Sequence, residues 1–261
     1  MVDERIYGEY SDALGANAEL ARRACSELCA RLAGLEGDAL EEAAREAYRA
    51  IVATFGDAAS AIAVEFYMAQ REASGVPAGY TAEIIQSDGR GKVGLDVSKA
   101  VAGSDMAASL AATATQRVME DADATILGNA RRDPAHPKWA FVPHAGACGW
   151  CRMMGSRGFD YCAKGTAEAV RHPSCKCSVV VDFSADPALE GYDPDSLYGE
   201  YSDARKEIES DALAQWEAMG DMGRKEFELT HKAKGRNAYD VFLRNKTIAR
   251  MNGAKGKDEA E

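Results

Sequence analysis

Positive charge is in short supply in this 261-residue chain: 31 Lys and Arg stand against 42 Asp and Glu, a formal net charge of −11. A surface coated uniformly in nucleic acid needs the opposite balance, because phosphate binding is electrostatic. Long apolar runs are missing too. The most hydrophobic stretch, AASAIAVEFYMA, contains Glu65 and follows Asp57. It falls short of the roughly 18 uncharged residues that a membrane span takes, so no membrane partner is expected. The opening MVDERIYGEY has neither the basic start nor the apolar middle of a secretory leader. Folding in a reducing cytosol is therefore expected, where grouped cysteines point to metal or redox chemistry ahead of disulfides.

Catalytic signatures are scarce as well. GRGKVG (residues 89–94) lacks the spacing of a phosphate-cradling loop and reads as a turn. Neither a zinc-protease H-E-x-x-H nor the deaminase pairing of H-x-E with P-C-x-x-C occurs. His136, His144 and Asp160 could be drafted as catalytic groups, but each reads as a surface loop residue. The chain is not expected to be an enzyme.

Helical texture dominates what is present. Leu40, Ala44, Tyr48, Ile51, Phe55, Ala58, Ile62 and Phe66 step by three or four, one face of a long helix. Asp38 with Glu41 resembles a capping box at its start, and Gly75 with Pro77 ends it. A shorter amphipathic helix precedes it and stops near Gly34. It places Cys25 and Cys29 on one face, where they read as small buried hydrophobes. Residues 75–97 are glycine-rich and predict a loop with at most one short strand. An alanine-rich helix is expected from about Ser98 to Arg131, with Val101, Met106, Leu110, Ala114, Val118 and Ala122 or Ile126 on its apolar side. WAFVPHAG and CSVVVDF then suit two strands.

A linker follows, leading to a last helical section over about 202–251 and an ending, GAKGKDEAE, expected to lack order. From Met222 to Lys257, ten Lys and Arg meet three Asp and Glu, leaving −18 on the rest. This is either a solvated helix face or a contact for a polyanion such as DNA through Lys232, Lys234, Arg236, Arg244, Lys246 and Arg250. The heptapeptide YGEYSDA occurs twice, at 7–13 and 198–204. Each copy is expected just ahead of a helix, where Ser and Asp cap free N–H groups.

Residues 145–183 hold five of the seven cysteines. Cys148 and Cys151 form C-x-x-C, and His172, Cys175 and Cys177 form H-x-x-C-x-C twenty-one residues on. A two-residue gap lets a tight turn aim both sulfurs at one ion, and Gly149 within it eases the bend. Cys175 and Cys177, at i and i+2 entering a strand, point to one side. Cys148, Cys151 and His172 with either Cys175 or Cys177 complete a tetrahedral set, and Cys162 is the spare. Closing the intervening loop costs about 3 kcal/mol of chain entropy, whereas a structural zinc contributes on the order of 10–16 kcal/mol. A subdomain of about forty residues hardly folds on its own core. One structural zinc per chain is therefore expected. A redox C-x-x-C pair or a disulfide set fits the surroundings less well.

These residues carry a resemblance. WAFVPHAGACGWCRMMGSRGFDY followed by HPSCKCSVVVDF resembles the MuF-like minor head (head-morphogenesis) proteins of tailed bacteriophages. The match rests on Trp139, Cys148, Cys151, Ser156 to Gly158, His172, Cys175 and Cys177, with AASAIAVEFYMAQRE upstream. The likeness covers roughly residues 20–185. It implies a structural part that enters the phage head in small numbers and associates with the portal, the inner capsid or a scaffold. Such a protein assists assembly or DNA delivery, is made in the host cytoplasm and ends in the virion. Alternatives are a zinc-dependent nucleic-acid hydrolase or a DNA-binding module. The expected fold is α+β, mostly α, with long amphipathic helices over 1–135 and a small zinc-stapled β module near 139–183, within a domain spanning 136–184. A linker with C-terminal helices and basic tail would fill 185–261.

Overall fold

The computed structural model describes residues 1–160, 171–231 and 238–258, without the side chains of 254–258. The protein, over its described residues, is mostly α with one small antiparallel sheet, as its sequence predicts. It divides into two compact units, Met1–His144 with Phe159–Tyr192, and Ala145–Gly158 with Asp193–Glu261.

The first unit is built on α1 (Glu4–Arg31), α2 (Gly37–Ala73) and α4 (Met106–Arg132), which pack on one another. Asp3 caps α1 by accepting from the Ile6 N–H, and the link to α2 passes through Gly34 at φ +97. The expected Asp38 capping box is not the start of α2: Glu36 holds the cap position without a side-chain bond. Ala44, Tyr48 and Phe66 of the predicted face are buried. Between them the inward row shifts to Val52, Gly56, Ala59, Ser60 and Ala63, while Ala58 is exposed. Small residues win because α4 comes close: a Cβ on Gly56 would lie 2.0 Å from Asp121 Oδ2. By length and hydropathy α2 could cross a membrane, but here it lies in the helical core beside α1 and α4.

The helix expected over 98–131 is in fact two, α3 (Val93–Ala102) and α4. Gly103 leaves the helical region, and Asp105 restarts the chain by accepting from Ala108 N–H. Local hydrogen bonding by Asp thus outcompetes an uninterrupted apolar stripe. On α4 the expected Leu110, Ala114, Val118, Ala122 and Ile126 are buried.

No strand forms over 75–92 among the described residues; a 3-10 turn spans Asp88–Lys92 and contains most of GRGKVG. The extended segment ahead of it is held by side chains of α4 instead of a neighbouring strand. Asn129 bonds Tyr80 Oη and both the N–H and C=O of Glu83. Thr125 does the same for Ile85, and Asp121 takes Ser87 N–H and Arg90. Spaced four apart on one helical face, these three are wholly buried and satisfied, as buried polar groups must be.

The two expected strands form. β1 (Lys138–Val142) pairs antiparallel with β2 (Ser178–Asp182), Lys138 opposite Asp182 and Val142 opposite Ser178.

The second unit holds α5 (Gly149–Gly155), α6 (Pro194–Ala218), α7 (Gly220–Thr230) and α8 (Ala238–Asp258). Asp193 caps α6 and Pro194 opens it, the position where a missing N–H costs nothing. Gly220, at φ +61, opens α7 and turns the chain away from α6. Ala212 and Leu243 are buried with Phe242, and Ile208, Trp216, Met219, Phe227 and Tyr239 pack around them. Helix α8 continues to Asp258 where the ending was expected to lose order; residues 259–261 lie outside the described part.

The two YGEYSDA copies do not precede their helices. Both lie inside the first turns, behind Asp3 and Asp193, which do the capping. In the first copy Tyr10 is buried, stacked on Phe66 with centroids 4.1 Å apart. In the second, the equivalent Tyr201 is half-buried.

Candidate metal centre

Cys148 occupies the N-cap position of α5 and Cys151 its first turn, so one helical start presents both sulfurs. Gly149 is there for a different reason from the one its sequence context suggests. Its φ is not in the left-handed region; a Cβ would instead lie 2.8 Å from Ile248 O and 2.9 Å from Met251 Cβ. The glycine lets α5 lie against α8. Asn252 Oδ1 accepts from Gly149 N–H at 2.6 Å, and Arg152 donates to Met251 O at 2.7 Å and pairs with Glu200.

The H-x-x-C half is anchored on α4. Gln116 donates its amide to Arg171 O at 2.8 Å, and Ser174 N–H donates to Ala112 O at 2.9 Å. Cys175 N–H closes the turn onto His172 O at 3.2 Å. The Arg171 guanidinium grips both oxygens of Asp123 and lies over the Phe141 ring. Burial pushes the Asp123 carboxyl up to about 6 although Arg171 pulls it down. Burial also works against the charge on Arg171, but the field and hydrogen bonds of Asp123, together with Cys175 and Cys177, raise it. At neutral pH the two remain an ion pair.

Two overlapping groups of ligand atoms result. Cys148, Cys151 and His172 form one, Cys151, Cys175 and Cys177 the other; within each, the atoms lie within 4.8 Å of one another. Cys151, Cys175 and Cys177 are buried, whereas Cys148 and His172 are half-buried. All five metal candidates named by spacing are therefore in these groups, and either could hold a metal ion. Cys162 lies outside the described residues.

Donor chemistry fits an ion. The described cysteines are thiols, not disulfide halves. His172 Nδ1 lies 2.8 Å from Pro173 O. A carbonyl only accepts, so Nδ1 carries the proton and Nε2 keeps the lone pair a metal takes, the usual arrangement of a ligating histidine. Cys25, by contrast, is a core residue: burial pushes its thiol up to about 12.

The remaining candidates lie elsewhere. His136 sits in a turn at φ 47, while His144 and Asp160 are exposed loop residues. Of the basic set, Arg250 is held by both oxygens of Glu207 at 2.6 and 3.0 Å. Arg244 lies over Trp150 and Lys246 over Phe242. Lys232, Lys234 and Arg236 fall outside the described residues.

Sequence reasoning missed Arg171, Asp123, Gln116 and Asn252. A signal existed for the first two: a cation directly before HPSC, and an acid on the alanine-rich side of a core helix.

The fold and cluster describe a helical protein with a compact Cys/His site able to take a metal. The family described as VG15 protein matches residues 1–204. The chain belongs to this family, a viral (phage) one. No curated protein and no solved structure matches it.

Proposed function

We propose that this protein is a MuF-like minor head protein, a structural part of the phage virion that binds its partners and catalyses nothing. Its metal is a structural zinc. Membership of a phage family supports the setting, and the Cys/His cluster is the observation that carries the reading. Thiolates and imidazole are the donors of closed zinc sites, and no opposing reactive group is needed for a site that only staples. Bound zinc would supply a fixed tetrahedral centre, drawing 148–151 and 172–177 together across the loop between them. Cys151, common to both groups, is the ligand on which the centre depends most. The partners of this reading are the portal, major capsid or scaffold protein, with the chain on the capsid interior, beside packaged DNA that its basic C-terminal segment would contact.

Metal analysis of the purified chain and fractionation of proheads and virions test it. About one zinc per chain and low-copy presence in the particle are expected. Cys151→Ser is expected to lose the metal and to lower Tm by more than 10 °C. A chain that carries no zinc, keeps its Tm in chelator and is absent from proheads and virions overturns the proposal.

A further inference from the structure

Arg171 is not a ligand, yet its placement is more specific than filling space requires. Its side chain is 0% exposed. Nε and Nη2 serve Asp123, and the third corner, Nη1, donates to Cys175 Sγ at 3.4 Å. Pairing with Asp123 accounts for two of the three nitrogens and leaves that third direction unexplained. Filling this part of the core would not need ions at all, since apolar residues of equal volume often replace a buried ion pair without loss. A neutral thiol is a weak acceptor, whereas a thiolate takes a strong, charge-assisted bond from a cation. Cysteine ligates metal as the thiolate. The buried cation therefore matches the form Cys175 takes around an ion. Its own backbone is already fixed by Gln116, and that of Ser174 by Ala112.

We propose that Arg171, braced by Asp123, is a positioning residue of the metal centre: its N–H···S bond aims Cys175 at the ion and stabilises it as a thiolate ligand. This rests on reading the cluster as a metal site. Arg171 acts through the sulfur and slows loss of the ion, because proton attack on a hydrogen-bonded thiolate is disfavoured.

Loading the wild-type chain with cadmium-113 tests this without any substitution. A guanidinium proton of Arg171 is expected to show scalar coupling to the metal through Cys175 Sγ, beside the couplings from the cysteine β protons. Cadmium coupled to the cysteines but not to Arg171 overturns this inference alone. A chain that takes up no cadmium overturns the metal reading and this inference with it. Two variants add a rate. R171K keeps the charge but loses the fork, and the pair R171M with D123L removes both charges so that none stays buried alone. Transfer of zinc to a chelator should speed up about 10–100-fold in each. Wild-type transfer rates in folded variants contradict the proposal; should neither variant fold, the cadmium coupling decides.

Discussion

Helices α4 and α6 are nearly equal in length, 27 and 25 residues, and both mix alanine with charged side chains. Their fates differ. Helix α4 buries fifteen residues from Leu110 to Ala130, whereas in α6 Ala212 alone is buried among the described residues. The difference is not hydrophobicity alone, because α4 buries Thr115, Arg117, Asp121, Asp123, Thr125 and Asn129. Each of these has a partner: Arg117 with Asp96, Asp121 with Arg90, Asp123 with Arg171, and Thr115, Thr125 and Asn129 with backbone groups. A helix can thus serve as a hub by offering polar groups that the surrounding chain satisfies. α6 instead depends on a small aromatic cluster around Trp216 and leaves Leu213 45% exposed. The family match ends at residue 204, within α6.

The contrast predicts unequal responses to similar cuts. Leu110→Ala, at a fully buried site of α4, should cost about 2–5 kcal/mol in urea unfolding, against about 0.5 kcal/mol or less for Leu213→Ala. Equal losses would erase the distinction. Asn129→Ala leaves the Glu83 backbone groups and Tyr80 hydroxyl without their partner and should cost about 1–3 kcal/mol. Proteolysis between 77 and 87 should accelerate with it, and an unchanged cleavage rate would deny α4 its role as a polar frame. Trp216→Ala removes ring contacts to Phe227, Tyr239 and Phe242, each worth about 0.5–1.5 kcal/mol. Hydrogen exchange should quicken in α6–α8 and stay constant in α1, α2 and α4. The smallest effect belongs to Glu207→Gln, which breaks the exposed pair with Arg250. Any change in Tm should vanish at high salt, since exposed pairs are screened.

The grouping of the candidate donors was legible because ligand chemistry is local. Two-residue and one-residue spacings between donors limit where sulfur can point, and all five named donors fall in the two groups. The strands were legible from short runs of β-branched and aromatic residues. The break at Gly103–Asp105 was harder to read, because an apolar stripe persists across it and only the Asp105 side chain decides otherwise. The placement of YGEYSDA was misread for a similar reason: Asp3 and Asp193, upstream of the repeat, had already taken the capping role. Gly149 showed that a residue can be identified correctly and explained wrongly. Its need arises from Ile248 and Met251, about a hundred residues away.

Composition, period and donor spacing by themselves determined a helical protein with a short antiparallel pair and a Cys/His cluster, since each follows from interactions within a few residues. Tertiary structure decided which small residues of α2 face α4, which acids are buried with a partner, and that Arg171 points a third N–H at Cys175. Those choices depend on contacts between segments distant in sequence, where the cost of burying a charge is set by whichever group meets it.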